Sequence, residues 1–156
     1  MIKAVKTRNS KEKQGVLFSG GVDSSLIAAL SKKFTCYVVG FQDQETKIPE
    51  DVVEAKRVAK KLRFKLKSKI YNLQEAEKII KKTVKILKKV NRTDVVNVGV
   101  GAVVLAVMEM AKKDKIRHFL GGLGSEEIFA GYERHKVKDI NQECWSGLRK
   151  MWSRDL

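Results

Sequence analysis

The chain has 156 residues, 43% hydrophobic and 33% charged, with 33 lysines and arginines against 18 acids and a net charge of +15. That length suits one domain with a real core, and an amino terminus without an apolar signal core argues against export and for the cytoplasm. No run is read as a membrane span, and Cys36 and Cys144, with no Cys-x-x-Cys and no Cys/His cluster, support neither a disulfide scaffold nor zinc.

Ile2, Ala4 and Val5 among cations predict a short helix over 2–8, followed by a polar connector over 9–14. An apolar run over 15–18 predicts the first strand, which delivers Ser19-Gly20-Gly21-Val22-Asp23-Ser24-Ser25 to a helix predicted over 22–33. Two glycines between a strand and a helix start bring unpaired N–H groups, hydroxyls and the positive end of a helix dipole to one point, which favours an anion. Glycine admits positive φ and lets phosphate oxygens approach the backbone. Asp23 would repel those phosphates unless a hard cation such as Mg²⁺ lay between them, so the loop predicts a metal-bound nucleotide. The Lys-Ser/Thr pair of a Walker A loop and the G-x-G-x-x-G of a dinucleotide fold are both absent. An ordinary turn, with Asp or Ser capping the helix, is the competing reading.

Residues 35–41 are almost continuously apolar, as in a central parallel strand. A polar loop over 42–49 ends at Pro49, ahead of Glu50 and Asp51 at the start of a helix over 50–62. Phe64, Leu66, Ser68 and Ile70 alternate with Lys65, Lys67 and Lys69, the pattern of an edge strand defended by lysine. Leu73, Ala76, Ile79, Ile80, Thr83, Val84 and Leu87 then predict a long amphipathic helix with Lys78, Lys81, Lys82, Lys85 and Lys88 outside. About two-thirds of the positive excess falls between residues 50 and 92. A solvated lysine face accounts for it better than a nucleic-acid footprint, because no recognised RNA- or DNA-binding pattern accompanies it.

Residues 98–112 are apolar nearly all round and predict a buried helix, in which Gly99 and Gly101 permit close approach. A fourth strand over 116–120 leads into Gly121-Gly122-Leu123-Gly124-Ser125-Glu126-Glu127. Alternating helices and strands predict an open parallel sheet with helices on both faces, a Rossmann-like α/β fold with both glycine loops on one rim. Glu126 would complete a Mg²⁺ site with Asp23, or polarise an attacking amine. His118 reads as a packed or edge residue and His135 as part of a surface cationic cluster. Trp145 and Trp152, with Leu148 and Met151, mark one helical face whose exposure would favour a homo-oligomer.

The first heptad resembles the PP-loop of the N-type ATP pyrophosphatases. Paired with Gly122-Leu123-Gly124-Ser125-Glu126-Glu127-Ile128-Phe129-Ala130-Gly131-Tyr132, it resembles the synthetase domain of the asparagine synthetase B family, where the second motif reads Gly-Glu-Gly-Ser-Asp-Glu-x-Phe-x-Gly-Tyr. The resemblance implies an adenine nucleotide alpha hydrolase-like fold and an ATP-dependent ligase. An aspartate-like carboxylate would be adenylated with release of pyrophosphate, then converted to an amide by ammonia or a partner-supplied amine.

By position, the resemblance implies that Ser19, Gly20, Gly21, Asp23, Ser24 and Ser25 hold pyrophosphate and Mg²⁺, and that Leu17, Val39, Gly40 and Phe41 cradle adenine. Gly122, Gly124, Ser125 and Glu126 would border the α-phosphate and ribose. Asp23, Glu126 and Glu127 would be catalytic, with Asp23 and Glu126 as Mg²⁺ ligands. Three departures stand against the pattern. Leu123 replaces an acid between the glycines, Ile2 stands where a glutaminase domain has its cysteine, and the chain ends before the family's catalytic lysine region. The expectation is one PP-loop domain over 1–156 that works with a separate glutaminase or carboxy-terminal subunit. A non-catalytic ATP-binding module and a PP-loop tRNA-modifying enzyme are the alternatives.

Overall fold

The structure, a computed structural model, describes residues 2–42, 47–123, 125, 131, 136 and 139–155, with side chains to residue 153. The chain divides into two compact units, Met1–Gly121 and Gly122–Leu156. The first contains α1 (Ile2–Arg8), β1 (Gln14–Leu17), α2 (Val22–Leu30), β2 (Phe34–Phe41), α3 (Glu50–Leu62), β3 (Leu66–Tyr71), α4 (Leu73–Leu87), a 3-10 turn (Lys88–Val90), α5 (Val95–Lys112) and β4 (His118–Leu120). The second contains α6 (Ile140–Asp155).

All four strands run parallel, in the order β3-β2-β1-β4. The continuous apolarity of β2 has its reason in two cores. Cys36 and Val38 point to one, with Val16, Phe18, Ile27, Ala28, Val52, Ala55 and Ala59. Tyr37 and Val39 point to the other, with Tyr71, Ile79, Ala102, Ala106, Val107 and Ala111. Alternate side chains of a strand leave opposite faces, so a strand covered on both faces must be apolar throughout. The expected open parallel sheet with helices on both faces is what forms.

β3 is an edge strand, as its lysines predict. Lys67 donates to Asp114 and Lys69 to Glu75, and the Lys69 ammonium also lies 4.1 Å from the centre of the Tyr71 ring. α4 starts on a capping box between Asn72 and Glu75, and it presents its lysines to solvent.

Several element boundaries need correction. α2 stops at Leu30 rather than 33, because Ser31 turns extended and Lys33 adopts φ 49°, which no helix continues. β4 starts at His118 rather than 116, because the Ile116 N–H is taken by the Ala111 carbonyl as the chain leaves α5 through Lys115 at φ 57°. α5 starts earlier, at Val95, where the Asp94 side chain accepts from Asn97 N.

α5 is not buried all round. Ala102, Ala106, Val107 and Ala111 are buried, while Val95, Val96, Val100, Val103 and Met108 are exposed. By length and composition it is apolar enough to cross a membrane, contrary to the sequence reading, although it lies against the sheet here. Gly101 does serve a close approach, since a Cβ there would lie 2.8 Å from Thr83 Cγ2 on α4; Gly99 meets nothing within 4 Å. In the second unit, Trp145 and Trp152 are 63% and 69% exposed on α6.

Candidate functional site

Strands β1, β2 and β3 succeed one another in one direction across the sheet, whereas β4 joins β1 on its other side. Strand order therefore reverses at the carboxyl end of β1, where open α/β sheets form a ligand crevice. Residues 19–25 lie at that end. Phe18 makes the last ladder bond, its N–H donating to Tyr37 O at 2.9 Å, and the chain then turns through the glycines into α2.

The two glycines do different jobs. Gly20 adopts φ 86°, and a Cβ on it would lie 2.9 Å from Ala55 N and from Glu54 C in α3. Both facts require glycine, and both concern the protein's own backbone. Gly21 has φ −65° and ψ 167°, open to any residue, and a Cβ there would meet only Ser19 Oγ at 3.4 Å. Its missing side chain leaves space on the outer side of the loop.

The first intrahelical bond of α2 runs from Ser25 N to Gly21 O at 3.0 Å, and no side chain caps the helix. The N–H groups of Val22, Asp23 and Ser24 thus precede the helical ladder. By contrast, α4 and α5 spend Asn72 and Asp94 on this task. The hydroxyls shape the loop: Ser24 Oγ donates to Gly21 O at 3.1 Å and lies 3.3 Å from Ser19 Oγ, which accepts from Gly21 N. Ser25 Oγ reaches Gly20 O at 3.4 Å. Ser24 is buried, Asp23 and Ser25 half-buried and Ser19 exposed. Amide donors and hydroxyls with a single adjacent carboxylate suit a phosphate group accompanied by a cation.

The expected adenine cradle is mixed in character. Val39 belongs to the core, and a Cβ on Gly40 would lie 2.8 Å from Val52 Cγ2 and 2.9 Å from Pro49 Cγ, so the start of α3 alone demands glycine there. Phe41 is half-buried and packs on Tyr71 with ring centres 5.7 Å apart. Leu17 is half-buried, and Gly121, leaving β4, would bring a Cβ to 3.4 Å from Leu17 Cδ1. Gly121 and the Glu54–Ala55 backbone were not singled out from sequence. The small residues Ala55 and Ala59, four apart on the buried face of α3, were the available signal for the latter.

In the second unit, Ser125 folds back on Gly122, its N–H and Oγ both donating to Gly122 O at 3.1 and 2.5 Å. Leu123 is 77% exposed. Gly124, Glu126, Glu127 and His135 lie outside the described residues, so of the expected Mg²⁺ pair only Asp23 is described. No group of three His, Cys, Asp or Glu gathers among the described residues. His118 is exposed on β4, and burial pushes the Cys36 thiol up to about 12, which removes it as a nucleophile.

A family profile described as asparagine synthase matches residues 1–156. A Methanocaldococcus jannaschii protein named "Putative asparagine synthetase (glutamine-hydrolyzing) 1" is 38% identical over 128 residues, covering 80% of this chain and 22% of that protein. Asparagine synthetase (glutamine-hydrolyzing) 2 of Lotus japonicus is 26% identical over 154 residues, 90% of this chain and 26% of that one. The chain thus spans about a quarter of the length of these relatives. Among solved structures, a predicted subunit of a tRNA methyltransferase from Methanocaldococcus jannaschii aligns at a TM-score of 0.40 and 25% identity, over 70% of this chain and 52% of that one.

Proposed function

The chain belongs to the asparagine synthase family, and on that premise we propose that it is a cytoplasmic, ATP-binding synthetase chain whose residues 1–156 serve one PP-loop domain that activates an aspartate-like carboxylate by adenylation. The observation that carries the reading is the open amino end of α2, uncapped by any side chain, at the point where strand order reverses.

In this reading the amides of Val22, Asp23 and Ser24, with the hydroxyls of Ser19 and Ser25, receive the departing pyrophosphate. Gly20 and Ser24 hold the loop in shape, and Gly21 leaves the approach clear. Asp23 would be the ligand this loop offers to Mg²⁺, with Glu126 of the second motif as the further expected ligand, and the ion would supply neutralisation of phosphate charge. Leu17, Val39, Gly40 and Phe41 border the adenine. By the family's second motif alone, Gly122, Gly124 and Ser125 would serve the α-phosphate and ribose, and Glu127 the reacting centre. Holding the carboxylate oxygen in line with the α-phosphorus would add rate through proximity and orientation, beside the electrostatic stabilisation by the amides. Ammonia, or an amine delivered by a separate glutaminase or further synthetase region, would then attack the acyl carbon of the adenylate, breaking its bond to phosphate, releasing AMP and leaving the amide.

A second reading, an ATP-binding assembly module without amide synthesis, draws on Leu123, which fills the position of the family's acid and is exposed. ATP–pyrophosphate exchange with Mg²⁺ and each acidic amino acid separates the two. Exchange that is lost in Asp23→Ala supports the synthetase. ATP binding without exchange under any condition leaves the module, and absence of ATP binding defeats both.

A further inference from the structure

The carboxyl ends of β2 and β3 carry an aromatic pair beside the phosphate loop's rim. The register pairs Phe41 with Tyr71 and Val39 with Lys69, and paired residues of neighbouring strands project from one face of a sheet. Phe41 is half-buried at the end of β2, whereas Tyr71 is only 5% exposed. Their ring centres lie 5.7 Å apart with the planes inclined by 34°. The part of the Phe41 ring left open is therefore set by where Tyr71 lies.

Tyr71 is held from two further directions. Its hydroxyl donates to Ala106 O in α5 at 3.1 Å, inside the core. The Lys69 ammonium stands 4.1 Å from the centre of its ring and is itself tied to Glu75 at 2.9 Å. Glu75 also closes the capping box of α4, its carboxylate accepting from Asn72 N at 3.2 Å. Phenylalanine would fill nearly the same volume, so what the hydroxyl adds is a fixed place for the ring against α5. The end of β2 is pinned separately, since Gln42 N donates to Tyr71 O at 2.9 Å through the backbone alone.

We propose that Tyr71 is a positioning residue for the nucleotide base: it fixes the Phe41 ring as an apolar wall against which the adenine of ATP lies, a role that rests on Phe41 bordering the adenine in the proposed function. An aromatic ring covers the face of a base well, and a ring already held still loses little freedom when the base arrives. Tyr71 does not itself touch the nucleotide. It acts through Phe41, so its effect belongs to the base and not to the phosphates.

The test uses the full chain and three probes, MgATP, AMP and magnesium pyrophosphate, titrated calorimetrically. In Tyr71→Phe, which keeps the ring but frees it from α5, affinity for MgATP and AMP should fall about threefold, and in Tyr71→Leu about tenfold. Pyrophosphate, which meets only the loop at 19–25, should bind both variants within about twofold of the native chain. In a Phe41→Ala background, Tyr71→Leu should weaken ATP binding no further, because the wall it positions has gone. Circular dichroism shows whether each variant folds, and Tyr71→Phe carries the test should Tyr71→Leu not fold. Equal losses for ATP and pyrophosphate would make Tyr71 a packing residue and overturn the proposal, as would additive losses in the double variant. Native ATP affinity in both Tyr71 variants overturns it alone, leaving the ATP-binding reading standing. A native chain that binds neither ATP nor pyrophosphate overturns that reading as well.

Discussion

Gly20 lies so close to Ala55 that a Cβ on it would stand 2.9 Å from the Ala55 nitrogen, which fixes the loop between β1 and α2 directly on the backbone of α3. With φ at 86° the residue is also in a conformation that side chains resist. Gly20→Ala should therefore lower stability by about 1–3 kcal/mol, from overpacking against rigid backbone and from strain. Gly21→Ala has neither problem and should cost less than about 1 kcal/mol. It should still weaken ATP binding about tenfold or more, because its Cβ faces the space the phosphates need. Urea unfolding beside ATP titration of both variants checks the contrast.

The effect of Asp23→Asn on ATP binding should change sign with magnesium. With Mg²⁺ the variant should bind ATP more weakly than the native chain, having lost a cation ligand. With the metal chelated it should bind ATP more tightly, because a negative charge beside the triphosphate has gone. Isothermal titration in both buffers measures the crossover.

Most of the fold was legible because its signals were local. The alternation of Lys65, Lys67 and Lys69 with apolar residues marked β3 as an edge, and the run at 35–41 marked β2 as covered on both faces. The heptad at 19–25 was legible for the same reason, since loop, glycines and helix start are contiguous. What sequence did not give were relationships across the fold. Gly40 and Gly20 read as ligand glycines, and the structure shows both pressed by α3, at Pro49 and Val52 and at Glu54 and Ala55. The apolar composition of α5 concealed its exposed valines, because periodicity is weak when nearly every position is apolar. Glu126 and Glu127 remain at the level of the motif.

Tyr37 is 1% exposed, and its hydroxyl donates to Asp114, which also accepts from Lys67. The hydrogen bond from Lys67, then that from Tyr37, holds the Asp114 carboxyl below the usual carboxylate range, and burial pushes the Tyr37 hydroxyl up. Lys67 is 41% exposed, so the ion pair itself contributes little. Asp114→Ala leaves the tyrosine unpaired, at a cost of about 1–3 kcal/mol. The contribution of Asp114 is fully present above its unfolded pKa of about 3.9 and lost as pH falls through the lower folded value. Urea midpoints of native chain and variant should accordingly differ at pH 7 and converge as pH drops below about 4.

Cys36 is wholly buried with its thiol raised to about 12, whereas Cys144 on α6 is half-buried. A disulfide reagent at pH 8 should titrate one thiol quickly in the native chain and two in denaturant. Two fast thiols without denaturant would mean that the core around β2 opens.

The account rests on the triphosphate lying at the amino end of α2, and mapping backbone amide shifts during MgATP titration tests this most directly. The prediction is that the largest changes fall on residues 20–25, with smaller ones at 17 and 39–41. Absence of any shift, or shifts centred on Met108 and Phe119, would contradict it.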